Sequence, residues 1–177
     1  MTDPLPIRVA TKADVGDLHS LVERAYRGEE ARRGWTHEAD LLGGQRTDAD
    51  ALRAIVGDPD QRILIATDAG AFVGCVQLSA RGAGLCYLGL LSVDPSRQAA
   101  GLGKHLLDAA ERYARDHLGA RTMEMTVIRQ RGELVAYYER RGYASTGEER
   151  PFPLDDPRFG LPRTRELAFV VMAKDIS

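Results

Sequence analysis

The run Gln98-Ala99-Ala100-Gly101-Leu102-Gly103-Lys104 brings two glycines and a lysine to the start of an amphipathic segment, an order of residue types suited to binding an anion. The first turn of a helix has four backbone N–H groups without intrahelical partners, and the aligned peptide dipoles add partial positive charge there. Gly101 and Gly103 lack Cβ atoms, so they allow unusual backbone angles and let a ligand's oxygens approach the main chain; Lys104 adds a full charge. Phosphate meets that demand. A P-loop would need glycine where the chain has Gln98 and a hydroxyl residue where it has His105. A dinucleotide fingerprint would need glycine in place of Leu106 and an acidic residue closing a second strand, which is not evident. The pattern that is met is Gln-x-x-Gly-x-Gly following a strand, with a plain strand-to-helix turn as the alternative.

On this segment the chain resembles the GNAT superfamily of acetyl-CoA-dependent acyltransferases, in which it holds the coenzyme A pyrophosphate. A second segment, Tyr137-Tyr138-Glu139-Arg140-Arg141-Gly142-Tyr143, resembles the family's helix-ending pattern Tyr-Glu-Lys-x-Gly-Phe, and the resemblance extends over Val73 to Tyr143. It implies that residues Gln98 to Lys104, with Ala99, Ala100 and Leu102 among them, cradle the pyrophosphate. It also implies that the main chain of Leu91, Ser92 and Val93 lies along the pantetheine arm. Tyr138 would face the thioester sulfur, where a phenol of pKa about 10 can hydrogen-bond to or protonate the departing thiolate. The alternative for Tyr138, and the main reading for Tyr137, is packing of helix on sheet. Two departures stand out. Many members have asparagine, contacting pantetheine, at the position of Arg131, and some place a glutamate on the strand that is here Leu85 to Val93, which has no carboxylate. The general base is therefore open among Glu38, Glu124, Glu133 and Asp155. A backbone N–H of Leu91 to Val93 would stabilise the oxyanion, and no metal is required.

The elements around these segments follow from periodicity. Ile7 to Ala10 reads as a strand, Thr11 with Asp14 as a capping pair, and Val15, Leu18, Leu21, Val22 and Ala25 as the apolar face of a helix ending near Tyr26. From Arg27 to Arg46 the period is lost, apart from a short helix expected at His37 to Leu42, and the stretch reads as a mobile loop over a pocket. Thr47 or Asp48 can cap a helix through Leu52, Ile55 and Val56. Ile63 to Thr67 and Phe72 to Leu78 form a hairpin, Leu85 to Val93 the next antiparallel strand, with a bulge or a close backbone approach expected at Gly89, and Leu102 to His117 a helix ended by Gly119. Thr122 to Ile128 follows a helical crossover and should run parallel to Leu85–Val93. Glu133 to Arg141 is a short helix, and Tyr143 to Glu148 and Leu167 to Lys174 are strands flanking a proline-broken connection, Arg150 to Arg165. This is an α/β fold with a mixed, mostly antiparallel sheet of about seven strands and helices on both faces. The family resemblance adds that its two parallel central strands splay apart.

At 177 residues, 44% apolar and 28% charged, the chain suits a single domain with a substantial core. A formal charge of −2 offers no basic field for nucleic acid, and no apolar run approaches a membrane span, so the expected setting is cytoplasmic. Cys75 and Cys86 lie in strand-like runs and read as small buried hydrophobes. The function read from residues and resemblance together is acetyl transfer from acetyl-CoA to a primary amine, in a ternary complex. The acceptor is a small molecule sitting between the two loops, with Trp35 and Phe152 as walls. Arg150 to Arg165 has four arginines against Asp155 and Asp156, which leans toward an acceptor carrying its own carboxylate or phosphate. A non-catalytic acyl-CoA-binding regulatory module and a protein lysine or N-terminal acetyltransferase are the alternatives, and a homodimer is left open.

Overall fold

The sheet is built from strands whose alternating residues feed two separate cores. The structure is a computed structural model that describes residues 3–27, 42–43, 46–98 and 100–177, with 42, 43 and 159 described through their backbone. Trp35, Glu38, Ala99 and most of the loop expected over 27–46 lie outside these residues. Strands β1 (Ile7–Val9), β3 (Gln61–Asp68), β4 (Ala71–Gly82), β5 (Leu85–Val93), β6 (Thr122–Ile128), β9 (Ala168–Asp175) and β7 (Ala144–Pro151) lie in that order in one seven-stranded sheet. All neighbours are antiparallel except β5 and β6, which a helical crossover makes parallel.

Helices α1 (Val15–Tyr26) and α2 (Ala49–Gly57) cover one face, against Ile63, Ile65, Cys75 and Leu90. The intervening residues of the same strands, Leu64, Ala66 and Val76, face α3 (Leu102–Leu118) on the other side, where α4 (Gly132–Glu139) also packs. Alternation along β3 therefore supplies both cores, as a strand covered on each side requires. All five apolar residues expected on the inner face of α1 are buried. Gly74 lets α3 approach closely: a Cβ there would stand 2.6 Å from the Leu106 side chain.

Asp48 caps α2, accepting from the Ala51 N–H at 2.7 Å. Asp14 links β1 to α1, accepting from the Thr11 N–H at 2.7 Å and from the Arg8 guanidinium at 2.7 and 2.9 Å. Three sequence expectations need adjustment. Leu42, expected to end a short helix, instead belongs with Gly43 to strand β2, which pairs with β8 (Leu161–Pro162) and ties the two expected loops together. The strand expected to end at Glu148 runs on as β7 to Pro151, and the connection after it contains a 3₁₀ turn over Pro157–Phe159. The bulge in β5 centres on Leu90, at φ +49°, while Gly89 keeps its place opposite Gln77. Among the described residues no helix is long and apolar enough to cross a membrane.

Candidate active site

Strands β5 and β6 stay paired only from Leu85–Thr122 to Tyr87–Glu124, where the Tyr87 hydroxyl meets the Thr126 Oγ1 across the gap. Beyond that point they part. The Leu90 bulge adds a residue to β5 opposite β4, so the end of β5 keeps its ladder to β4 while it bends from β6. Two adjoining cavities of about 400 and 250 Å³ occupy the resulting opening, sharing Tyr26, Leu91, Arg131, Leu134 and Tyr138 in their walls.

The larger cavity runs past the end of β5 to the start of α3. Asp94 donates its N–H to the Val73 carbonyl, so by the alternation of an antiparallel ladder the main-chain groups of Val93 turn away from β4. The Val93 carbonyl accepts from Gln98 Nε2 at 3.3 Å, and the Leu91 carbonyl from the Tyr26 hydroxyl at 2.6 Å. Gln98 Oε1 is buried and has no hydrogen-bond partner among the described residues. Gly101, left-handed at φ +79°, is the N-cap of α3; no side chain caps the helix and its first turn contains no acidic residue. The uncapped N–H groups, Arg140 and Arg141 bring donors and positive charge to this end, Lys104 is held to Asp108 at 2.7 Å, and no Asp or Glu among the described residues lines the cavity. Arg141 stacks over Tyr137 at 4.2 Å, and the Tyr137 hydroxyl covers Gly103, standing 3.0 Å from where a Cβ would be. These features fit coenzyme A: exposed N–H donors for its phosphates, a glycine surface against which no Cβ intrudes, and a buried amide oxygen able to accept from its arm.

The residues singled out in the sequence divide by the direction of their side chains. Gln98, Gly101, Gly103, Lys104, Arg131 and Tyr138 line the larger cavity. Ser92 lines it too, but its buried hydroxyl donates to the Leu90 carbonyl at 2.8 Å, so Ser92 offers the cavity main chain alone. Leu102 is buried in the core beneath α3, and exposed Ala100 is not in the cavity wall, which leaves their backbone as the only contribution to an anion cradle. Phe152 is buried against Phe169 at 5.2 Å and walls the smaller cavity. Of the candidate bases, none of Glu124, Glu133 and Asp155 lines either cavity. Glu124 pairs with Arg150 at 2.9 Å, Asp155 with Arg165 at 3.1 Å, and the Glu133 side chain is half exposed.

Tyr138 sits where the cavities meet. It is 5% exposed, edge-on to Tyr137 and Tyr143 at 5.5 and 5.9 Å, and its hydroxyl makes no hydrogen bond among the described residues. The end of α4 fixes it: the Arg141 and Tyr143 N–H groups both donate to its carbonyl, at 2.9 and 3.1 Å, around left-handed Gly142. Burial pushes its phenol pKa up, with Tyr26 adding to the rise and the charge of Arg131 opposing it. The cysteines offer no competing nucleophile, since burial pushes Cys75 up to about 12 and Cys86 up to about 11.

Tyr26, Arg27, Arg46 and Tyr87 also line the smaller cavity, and none stands out in the sequence. Glu23 accepts from the Arg46 and Thr47 N–H groups at 2.7 and 2.9 Å, which returns the chain beside α1 and sets Arg46 over the Tyr26 ring at 5.0 Å. Their recruitment depends on contacts between distant segments and leaves no local pattern.

Among solved structures, a spermidine N-acetyltransferase SpeG chimera from Vibrio cholerae and hSSAT superposes with a TM-score of 0.71 at 18% identity, covering 98% of this chain and 96% of that one. The yncA structure from Salmonella typhimurium with its cofactor acetyl-CoA superposes at 0.69 with 19% identity, covering 99% and 95%. The ribosomal-protein-S18-alanine N-acetyltransferase from Escherichia coli superposes at 0.71 with 17% identity, covering 97% and 94%. No curated protein matches the sequence. At these identities the likeness is one of fold. The model of the acetyltransferase (GNAT) family matches residues 18–143, which span β5, the glycine turn, α3, β6 and α4, and the chain therefore belongs to the GNAT acetyltransferase family.

Proposed function

We propose that the chain is one acetyltransferase domain that moves the acetyl group of acetyl-CoA directly to a primary amine of a small molecule. The observation that carries this reading is the parting of β5 and β6, which joins an anion-binding cavity and an acceptor-sized one at Tyr138. Acetyl-CoA supplies the reactive carbonyl and a thiolate leaving group. The backbone of Gly101 to Lys104 holds the pyrophosphate, and Val93 and Gln98 orient the arm. The Val93 N–H, turned into the gap, is a preorganised donor for the carbonyl oxygen as charge grows on it.

Tyr138, like any phenol, keeps its proton at neutral pH, and burial raises its pKa further. Full transfer from such a phenol to a thiolate whose conjugate acid has a pKa near 8.5 is uphill. The hydroxyl therefore serves chiefly as a hydrogen-bond donor that stabilises the sulfur as it departs. The acceptor amine must enter the reaction neutral. Among the described residues no carboxylate lines either cavity, so water is the candidate acceptor for that proton.

An assay of coenzyme A release over a panel of amines tests this reading. Amine-dependent release is expected. Tight binding of acetyl-CoA with no release for any amine or peptide would favour the regulatory-module alternative, and release with peptides alone the protein-acetyltransferase one.

A further inference from the structure

Beside Tyr138, three side chains from separate stretches of the chain meet in one polar cluster. Glu111 of α3 accepts from the Tyr143 hydroxyl at 3.0 Å and from the Lys174 ammonium of β9 at 3.0 and 3.1 Å. The Glu111 side chain is 13% exposed and that of Lys174 26%, so water reaches the pair little. The ammonium also lies 5.7 Å from the centre of the Tyr143 ring. Gly142 makes room for this crossing, since a Cβ there would stand 3.2 Å from Lys174 Cε. Glu111, Tyr143 and Lys174 line neither cavity, so any part they have in the chemistry is played through a neighbour.

Tyr138 is that neighbour. Helix α4 is eight residues long, too short to hold its place unaided, and it packs through buried Tyr138 and the partly buried Leu134, Val135 and Tyr137. Its end is tied down by Tyr143, which is buried, donates its N–H to the Tyr138 carbonyl at 3.1 Å and sets its ring edge-on to that of Tyr138 at 5.9 Å. A buried phenol bonded to a carboxylate makes one of the stronger neutral-to-charged hydrogen bonds, and it fixes the ring that carries it. Because α3 starts at the glycine turn, Glu111 joins the helix that opens the phosphate site to the helix that carries the phenol.

We propose that Glu111, with Lys174 beside it, is a positioning residue for Tyr138: by holding the Tyr143 hydroxyl it fixes the Tyr143 ring and the turn before it, and so aims the Tyr138 hydroxyl at the departing sulfur. This rests on the acetyl-transfer reading above. A donor that acts as charge develops must already be in place, and a small misplacement of such a group is costly in rate. A tie that served the fold alone would be indifferent to whether Tyr138 has a hydroxyl.

The test is a double-mutant cycle on the acetyl-transfer step, read as single-turnover release of coenzyme A with an amine the protein uses. Tyr143→Phe removes the hydroxyl and keeps the ring, while Lys174 continues to satisfy Glu111, so folding should persist. Alone it should slow the step roughly tenfold, with acetyl-CoA affinity by calorimetry unchanged. In Tyr138→Phe, which has no hydroxyl to aim, the same change should cost less than about twofold, the margin within which independent sites add. Glu111→Leu should reproduce the Tyr143→Phe loss, and Glu111→Gln, which keeps an acceptor, should recover most of it; should Glu111→Leu fail to fold, the Tyr143→Phe cycle decides. A wild-type chain that releases no coenzyme A with any amine removes acetyl transfer itself. With transfer intact, an unchanged step in Tyr143→Phe or in folded Glu111→Leu, or the same-fold loss with and without the Tyr138 hydroxyl, overturns this proposal alone.

Discussion

Tyr138 and Tyr137 are chemically identical neighbours on one short helix, and their surroundings assign them different work. Tyr138 is buried at the junction of both cavities, whereas Tyr137 covers Gly103 and carries Arg141 on its ring. Tyr138→Phe removes only the hydroxyl, which has no hydrogen-bond partner in the described structure to lose, so the fold should be undisturbed. We expect kcat to fall by roughly 10²-fold, the low end for a positioned proton donor because a thiolate is already a fair leaving group, with acetyl-CoA affinity nearly unchanged. Tyr137→Phe should do less to kcat. Single-turnover rates beside calorimetric affinities check both, and an unaltered chemical step in Tyr138→Phe would leave Tyr138 a packing residue. The sequence made Tyr138 legible because its pattern is local, ending in a glycine that the turn requires. It could not show that Arg27 is buried, which depends on residues far away in the chain, or that Ser92 turns its hydroxyl to the Leu90 carbonyl two residues back, which depends on the backbone of the bulge.

At the scale of elements, the glycine turn was the clearest feature of the sequence, and the structure explains why residue type matters unequally within it. Gly101 needs φ +79°, a region costly for β-branched residues, yet a Cβ there meets nothing within 4 Å. Gly101→Val should therefore cost roughly 1–2 kcal/mol in stability and weaken acetyl-CoA binding more than it weakens the fold, by distorting the N–H cradle. Calorimetry together with urea unfolding separates the two effects, and an unchanged affinity would remove Gly101 from the phosphate site. A second element-scale device is the Asp14 link between β1 and α1. The Arg8 guanidinium holds the Asp14 carboxyl well below its ordinary value of 3.8, with burial opposing and the Thr11 N–H assisting. A folded pKa below the unfolded one means that this stabilisation is present above about pH 4 and fades as acid protonates the folded carboxylate. Arg8 is half exposed, so solvent screens the pair. Asp14→Asn should lower stability by about 1 kcal/mol at pH 7, and its deficit should shrink between pH 4 and 2. Urea midpoints for both proteins across that range decide it. A deficit independent of pH would point to lost packing instead of lost charge. The capping pair was legible because Thr11 and Asp14 are three residues apart, whereas Arg8 as the ion partner was not, because a strand and a turn had to fold before it could arrive.

For the whole molecule, the antiparallel run of β3, β4 and β5 and the parallel crossover to β6 followed from the succession of apolar runs, but the places of β1, β7 and β9 and the opening between β5 and β6 did not. Both strands have apolar residues along their full length, and nothing in either run marks the point after Tyr87 where pairing stops. The opening is a collective result of the Leu90 bulge, the β6–β9 ladder and the packing of α4. Its consequence is a main-chain edge inside the protein, which an open sheet would ordinarily cover. The Val93 N–H lies on that edge, while its neighbour Ser92 is in register with Cys75 on β4. If the edge receives the arm of acetyl-CoA, Val93 should exchange its amide hydrogen faster than Ser92 in the free protein and slow disproportionately when acetyl-CoA binds. The ratio is the informative quantity. Any ligand of the folded state slows exchange through global opening at every amide, but only a bond formed at Val93 changes it relative to Ser92. Residue-resolved exchange by NMR, with and without acetyl-CoA, gives that ratio directly. A ratio unmoved by saturating acetyl-CoA would mean that the arm does not lie along β5, and the opening between the parallel strands would need another occupant.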